Sequence, residues 1–151
     1  MPPDGMSGGG KLQAYLGGIV ARVGGGRAVR VGFLEGSTET DGTSLPMVAA
    51  LNEFGAPSRG QPPRPFFRTM VTRHKGEWGD QLGKVLKTTD YDEGRSLGLM
   101  GELISGELRQ SIKDLTDPPL AASTVRRKGF DKPLIDTGTM FQRVNHEVES
   151  A

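Results

Sequence analysis

Between Lys11 and Val23 the apolar residues Leu12, Tyr15, Leu16, Ile19 and Val23 recur at the spacing of one helix face, and Gly24-Gly25-Gly26 then stops the run. The face is narrow. From Arg27 to Glu35 the period drops to two, with Val29, Val31 and Phe33 on one side and Arg30 and Gly32 on the other, which predicts a half-buried strand. The polar stretch 36–46 contains Asp41-Gly42, a dipeptide suited to a hairpin tip or a projecting loop, and the projecting loop is preferred. Pro46 fits the first turn of a short helix in which Met47, Ala50, Leu51 and Phe54 share a face, with Gly55 ending it.

Residues 56–65 read APSRGQPPRP. Proline fixes φ and pushes the residue before it out of the helical region, so this stretch predicts an extended arm that does not return to a sheet. A longer helix is expected from Pro65, with Phe67, Met70, Val71, His74, Trp78, Leu82, Val85 and Leu86 on one stripe. Another is expected over Leu97 to Leu115, with Leu97, Met100, Leu103, Ile104, Leu108, Ile112 and Leu115 facing inward. Its glycines 98, 101 and 106 either loosen it or admit a close neighbour. Asp117-Pro118-Pro119 breaks the pattern, a short basic helix LAASTVRRKG follows, and Arg143 to Glu149 reads as a closing strand with Val144, His146 and Val148 on one side. These elements predict an α+β fold, a small antiparallel or mixed sheet packed against two or three helices. Residues 1–10, rich in glycine and proline, predict a flexible lead-in to a single domain over 11–151.

Composition changes this picture in one respect. The apolar fraction is 34% in a chain of 151 residues that also holds 23 glycines and 10 prolines, so the core is thin and neighbouring copies are expected to complete it. With 19 basic and 18 acidic residues the net charge is +1, and no global field draws the chain to nucleic acid or an anionic membrane. There is no cysteine, which removes disulfides, thiolate metal sites and a cysteine nucleophile. No apolar run reaches the roughly 18 residues of a membrane span, and the start lacks the order of a signal peptide, so no membrane partner is expected.

Several spellings suggest chemistry and fail on context. Asp136-Thr137-Gly138 after Leu134-Ile135 is the loop of a retropepsin-like aspartic peptidase, but only Thr137 to Ala151 remain to build a flap and a bracing strand. A structural cap by Asp136 or Thr137 is the better reading. Gly5 to Gly9 has the nucleophile-elbow spelling without a preceding strand, and Gly55 to Gly60 has phosphate-loop spacing with Gln61-Pro62 where lysine and a hydroxyl are required. Asp90, Asp92 and Glu93 lack the glycine and closing glutamate of a calcium loop and read as a solvated linker. His74 and His146 have no companion at metal-ligand spacing. Neither metal nor cofactor is expected.

Two stretches stay unexplained. One runs from Asn52-Glu53-Phe54-Gly55 to Pro62-Pro63-Arg64-Pro65-Phe66-Phe67-Arg68, where aromatic and arginine residues of the kind found at interface centres meet a stiff arm. Phe66 and Phe67, adjacent in a helix, cannot both enter one core, so one is expected to face a neighbour or a loop of its own subunit. The other is Arg126-Arg127-Lys128, a candidate contact for DNA phosphates or an acidic partner and equally a solvated helix end.

A Val-Gly-Phe strand, Ala-Leu-Asn-Glu-Phe-Gly, Pro-Pro-Arg-Pro-Phe-Phe-Arg and, near the end, Thr124, Lys128-Gly129 and Lys132 to Met140 occur in an order that resembles the neck or tail-completion (virion morphogenesis) proteins of long-tailed bacteriophages. The likeness spans about residues 28–149 and departs at Phe141-Gln142-Arg143-Val144, where the family continues with a Ser-Ile. It implies a non-enzymatic α+β subunit of a six-fold ring joining tail tube and head connector in the virion neck, assembled in the host cytoplasm around a channel for DNA. On that reading Phe54, Pro62, Pro63, Arg64, Pro65, Phe66, Phe67 and Arg68 are the expected subunit contact. A DNA-contacting packaging accessory is the alternative.

Overall fold

Among the described residues eight elements follow one another: α1 (Gly9–Val23), β1 (Ala28–Gly32), α2 (Leu45–Phe54), a 3-10 turn (Pro57–Arg59), α3 (Phe66–Thr88), α4 (Glu93–Asp114), α5 (Thr139–Gln142) and β2 (Asn145–Glu149). The computed structural model describes residues 9–39, 41–116, 126 and 139–150. The fold is α+β, mostly helical, with one two-stranded antiparallel sheet laid against the helices.

Helices α3 and α4 form an antiparallel hairpin that frames the molecule. Its corner is tight, with Asp90 and Tyr91 at positive φ. Asp92 then caps α4 by accepting the Arg95 N–H at 2.9 Å, which satisfies a donor the helix itself leaves open. The acidic run 90–93 is therefore a helix corner and cap, not the expected solvated linker, and α4 begins four residues before Leu97.

The buried face of α4 is built from small residues as much as large ones: Ser96, Gly101, Ser105 and Ser111 lie among Met100, Leu108 and Ile112. Leu103, expected inside, is 39% exposed. The small residues let neighbours approach. Ser111 Oγ donates to the Phe66 carbonyl at 2.6 Å and ties α4 to the first turn of α3. A methyl at Gly101 would overlap the His146 imidazole and Val29, so the glycine is what lets the sheet close on the helix. Ala28 pairs with Glu149 and Gly32 with Asn145. Val29 faces Val148 and Val31 faces His146, as the two-residue period requires.

Leu45, Ala49, Phe66, Met70, Leu108, Ile112, Met140 and Val144 make the core where α2, α5 and the two long helices meet. Burying a side chain the size of Phe66 contributes about 1.5–3 kcal/mol. Phe66 also meets Phe33 edge-on at 6.2 Å and Phe67 at 6.5 Å.

Three local expectations are corrected. The 36–46 segment takes the hairpin alternative instead of the preferred loop: Thr38 bridges Ser44, Glu39 N–H donates to the Thr43 carbonyl at 2.8 Å and Asp41 Oδ1 accepts the Thr43 N–H, with Asp41 and Gly42 exposed at the tip. The 56–65 segment is not a free arm, because Ala56 and Gln61 pair in both directions and Arg64 N–H donates to the Asn52 carbonyl at 2.7 Å. In α2 the buried face is Leu45, Ala49 and Glu53, while Met47 and Phe54 are 59% and 66% exposed. The helix is rotated away from the expected Met47-Ala50-Phe54 face because Glu53 is drawn inward.

Candidate functional site

Helix α3 starts on Pro65, which has no side-chain acceptor to offer the free N–H groups behind it. The missing acceptor comes from the end of α2. Glu53, only 5% exposed, accepts the Phe67 N–H at 2.9 Å on one oxygen and the Arg68 N–H at 3.1 Å on the other. The second oxygen also accepts Arg68 Nε at 2.7 Å, while Arg68 Nη2 donates to the Glu53 carbonyl at 3.1 Å. A carboxylate at a helix N-terminus meets the positive end of the dipole as well as its open donors. Arg68 in turn lies over the Phe54 ring, 5.3 Å from its centre.

The loop between the helices is shaped to deliver this cap. Gly55 has φ +77°, and a Cβ there would lie 2.8 Å from the Pro63 nitrogen and 2.9 Å from the Gln61 carbonyl oxygen. Both are backbone atoms, so only glycine fits. Asn52 holds the returning strand of the loop through Gln61 Nε2 at 3.2 Å and the Arg64 N–H.

Of the residues expected at a subunit contact, Phe54, Pro62, Pro63 and Arg68 are exposed, and Pro65 and Phe67 are half-buried. Arg64 and Phe66 are buried in their own subunit and present no surface. Burial pushes the Arg64 pKa down from the ordinary arginine value. Phe66 is part of the core, and Phe67 packs half-buried against it with its ring beside Gly32 at the end of β1. Arg126 is exposed; Arg127, Lys128, Asp136 and Thr137 lie outside the described residues.

Phe33, Ala49, Ala50, Phe54, Phe66 and Phe67 line a cleft of about 270 Å³ beside this junction. Its one polar lining residue is Glu53, whose oxygens are already engaged. No polar side chain, of the kind that ligand pockets ordinarily supply, is left to orient a small molecule. A protein side chain suits it.

Both histidines have carboxylate neighbours that sequence spacing does not reveal. His74 Nδ1 is 3.4 Å from Glu107, which also accepts the Trp78 indole N–H at 2.8 Å, and His146 Nδ1 is 3.7 Å from Glu102. Each pair joins α4 to another element. Among the described residues no group of three or more His, Cys, Asp or Glu could hold a metal ion, and no helix is long and apolar enough to cross a membrane.

Glu53 lies in a stretch that sequence reasoning singled out without giving this residue a role. Its partners are 14 and 15 positions away, beyond any local capping spacing, and the usable signal was a helix opening on proline with no acceptor of its own. No protein-family model, curated protein or solved structure matches this chain.

Proposed function

We propose that this chain is a structural virion protein of the phage neck, one subunit of a ring that joins the tail tube to the head connector and surrounds the passing DNA without reading its sequence. The reading rests on the order of the motifs from Val31-Gly32-Phe33 through Pro62 to Arg68 and on to Lys132 to Met140. One structural observation supports it above others. Large apolar side chains stand in solvent on two separate elements, Leu12, Tyr15, Leu16 and Val20 on α1 and Met47 and Phe54 on α2. Surfaces of this kind mark protein contacts, and two different faces on one subunit suit the head-to-tail contacts from which rings close. In this role the chain catalyses nothing, and its partners are its own copies and the adjoining tail and head proteins.

The test is cryo-electron microscopy of the particle neck. The expected result is a closed ring whose subunits fit the α3–α4 hairpin and the Glu53 junction. A neck reconstruction at side-chain detail with no density for this chain overturns the reading.

A further inference from the structure

Helix α1 does not account for its own existence. It has 15 residues, none of them buried, and carries Gly17 and Gly18 at its centre. Isolated helices of about 12–15 residues are marginal in water even when rich in alanine, and each interior glycine costs about 1 kcal/mol more. An amphipathic helix of this length is held by burial of its apolar face. Here Ile19 and Val23 are half-buried within the subunit, while Leu12, Tyr15, Leu16 and Val20 leave 58%, 55%, 50% and 65% of their surface exposed, an apolar face open to a partner.

We propose that α1 of one copy docks in the cleft between α2 and α3 of the next copy, with Tyr15 as the side chain that enters between Phe33, Ala50 and Phe54. This deepens the ring reading above and rests on it for the closed geometry, while the contact itself stands on three observations.

The cleft is apolar, of side-chain size and without a free polar group, so it selects a hydrophobic anchor. The charges do not oppose it: Arg22 pairs with Asp90 of its own subunit, which leaves Lys11 and no acid on Gly9–Val23, while Phe33 leads directly into Glu35, Glu39 and Asp41, each at least partly exposed. The geometry favours a second copy over the same subunit. Arg22 donates to the Asp90 carbonyl at 2.9 Å and pairs with its carboxylate at 2.6 Å, at the far end of α3 from Phe66. That helix is about 34 Å long, and Tyr15 lies only about 10 Å along α1 from Arg22, so α1 in this position does not reach its own cleft. The size also suffices: a helix about 22 Å long laid on a neighbour buries on the order of 500 Å² per side, and the pair of surfaces together approaches the roughly 1,000 Å² of a specific interface. The α1 face and the cleft are different surfaces near opposite ends of α3, so the contact is heterologous when each copy's α1 goes to the next copy of the ring.

Two variants of the full chain test this, Tyr15→Asp on α1 and Ala50→Arg at the cleft mouth. Both positions are exposed, and circular dichroism verifies that each variant keeps its helices. The readout is mass by size exclusion with light scattering at about 100 µM, where even a contact of micromolar affinity is populated. Wild type is expected at multiples of 16.2 kDa. Each variant alone is expected as a monomer, and their equimolar mixture as a one-to-one dimer, because Tyr15→Asp keeps a working cleft and Ala50→Arg keeps a working helix. The proposal is overturned by a monomeric wild type, the outcome if α1 folds back on its own cleft or serves an unrelated partner. A variant that keeps the wild-type mass, or a mixture that stays monomeric, overturns it as well. A variant that still forms rings removes this contact and leaves the neck reading intact; complementing variants with no place in the particle do the reverse.

Discussion

At the junction of α2 and α3 a carboxylate, an arginine and two phenylalanines account for one another, whereas α1 puts four large apolar side chains into water and buries none. Judged by residue type, the two regions trade places. Arginine and phenylalanine beside a proline-rich stretch have the composition of an interface centre, yet most of their bonding capacity is spent inside the subunit. A helix with a narrow apolar face looks like an ordinary core element and is the surface left open. What distinguishes them is whether each group's demand, for a hydrogen bond or for dry contact, is met within the chain.

The largest effect separates two apolar truncations of similar chemistry. Phe66→Ala removes a ring that is 1% exposed and packed against Phe33 and Phe67, and is expected to lower unfolding free energy by about 3–5 kcal/mol. Leu16→Ala, at 50% exposure on α1, is expected to change it by less than about 0.5 kcal/mol when the protein is dilute enough to be monomeric. Urea denaturation of the two variants measures both. Similar losses would mean that α1 is held by its own subunit, and the two regions would then not differ in kind.

A smaller effect sharpens the junction itself. Glu53→Gln keeps the shape but puts an amide where two backbone N–H groups and a guanidinium converge. Hydrogen bonds to charged groups contribute about 1.5–3 kcal/mol, so a loss of about 2 kcal/mol is expected. Arg68→Gln is expected to lose under about 1 kcal/mol, because its side chain is 58% exposed and its attraction to Glu53 is screened by water. Chemical denaturation that ranks the two in the opposite order would show that the arginine, and not the helix cap, holds the junction.

Periodicity alone made much of the fold legible. The alternation of Val29, Arg30 and Val31 in β1, the stripe of α3 through Met70, Val71, Trp78 and Leu82, and the inward Met100, Leu108 and Ile112 of α4 stand where spacing put them, whereas Gly32, expected beside Arg30, is buried and Phe33 lies beyond the strand. Two of the errors come from distant polar contacts that outweighed local pattern: Glu53, pulled to the start of α3, accompanies an α2 that exposes Met47 and Phe54, and Asn52 folds the proline stretch back. The other two are local, since Asp92 caps α4 from three residues away and Asp41 closes the 36–46 hairpin from two. The cleft is built from three elements and has no linear signature, and Glu102 and Glu107 meet their histidines only across elements.

The smallest expected effect tests a third kind of region, exposed yet locally satisfied. At the hairpin tip Asp41 accepts hydrogen bonds from the Thr43 hydroxyl and the Thr43 N–H, and these hold its carboxyl below the ordinary value of 3.8. A carboxyl with a depressed native pKa binds fewer protons when folded than when unfolded. Its contribution is therefore complete above about pH 4 and is lost as pH falls through the native value. The Asp41→Asn variant carries an amide at this position, which has no proton to exchange in this range. The melting temperature of wild type relative to that variant is thus expected to fall slightly between about pH 6 and about pH 2.5, with the shift kept small by full exposure to water. Scanning calorimetry of the pair reads this difference directly. An offset that stays constant with pH would mean that the Thr43 contacts do not favour the charged form, and that the tip, like the outer face of α1, is shaped by something other than bonds within its own subunit.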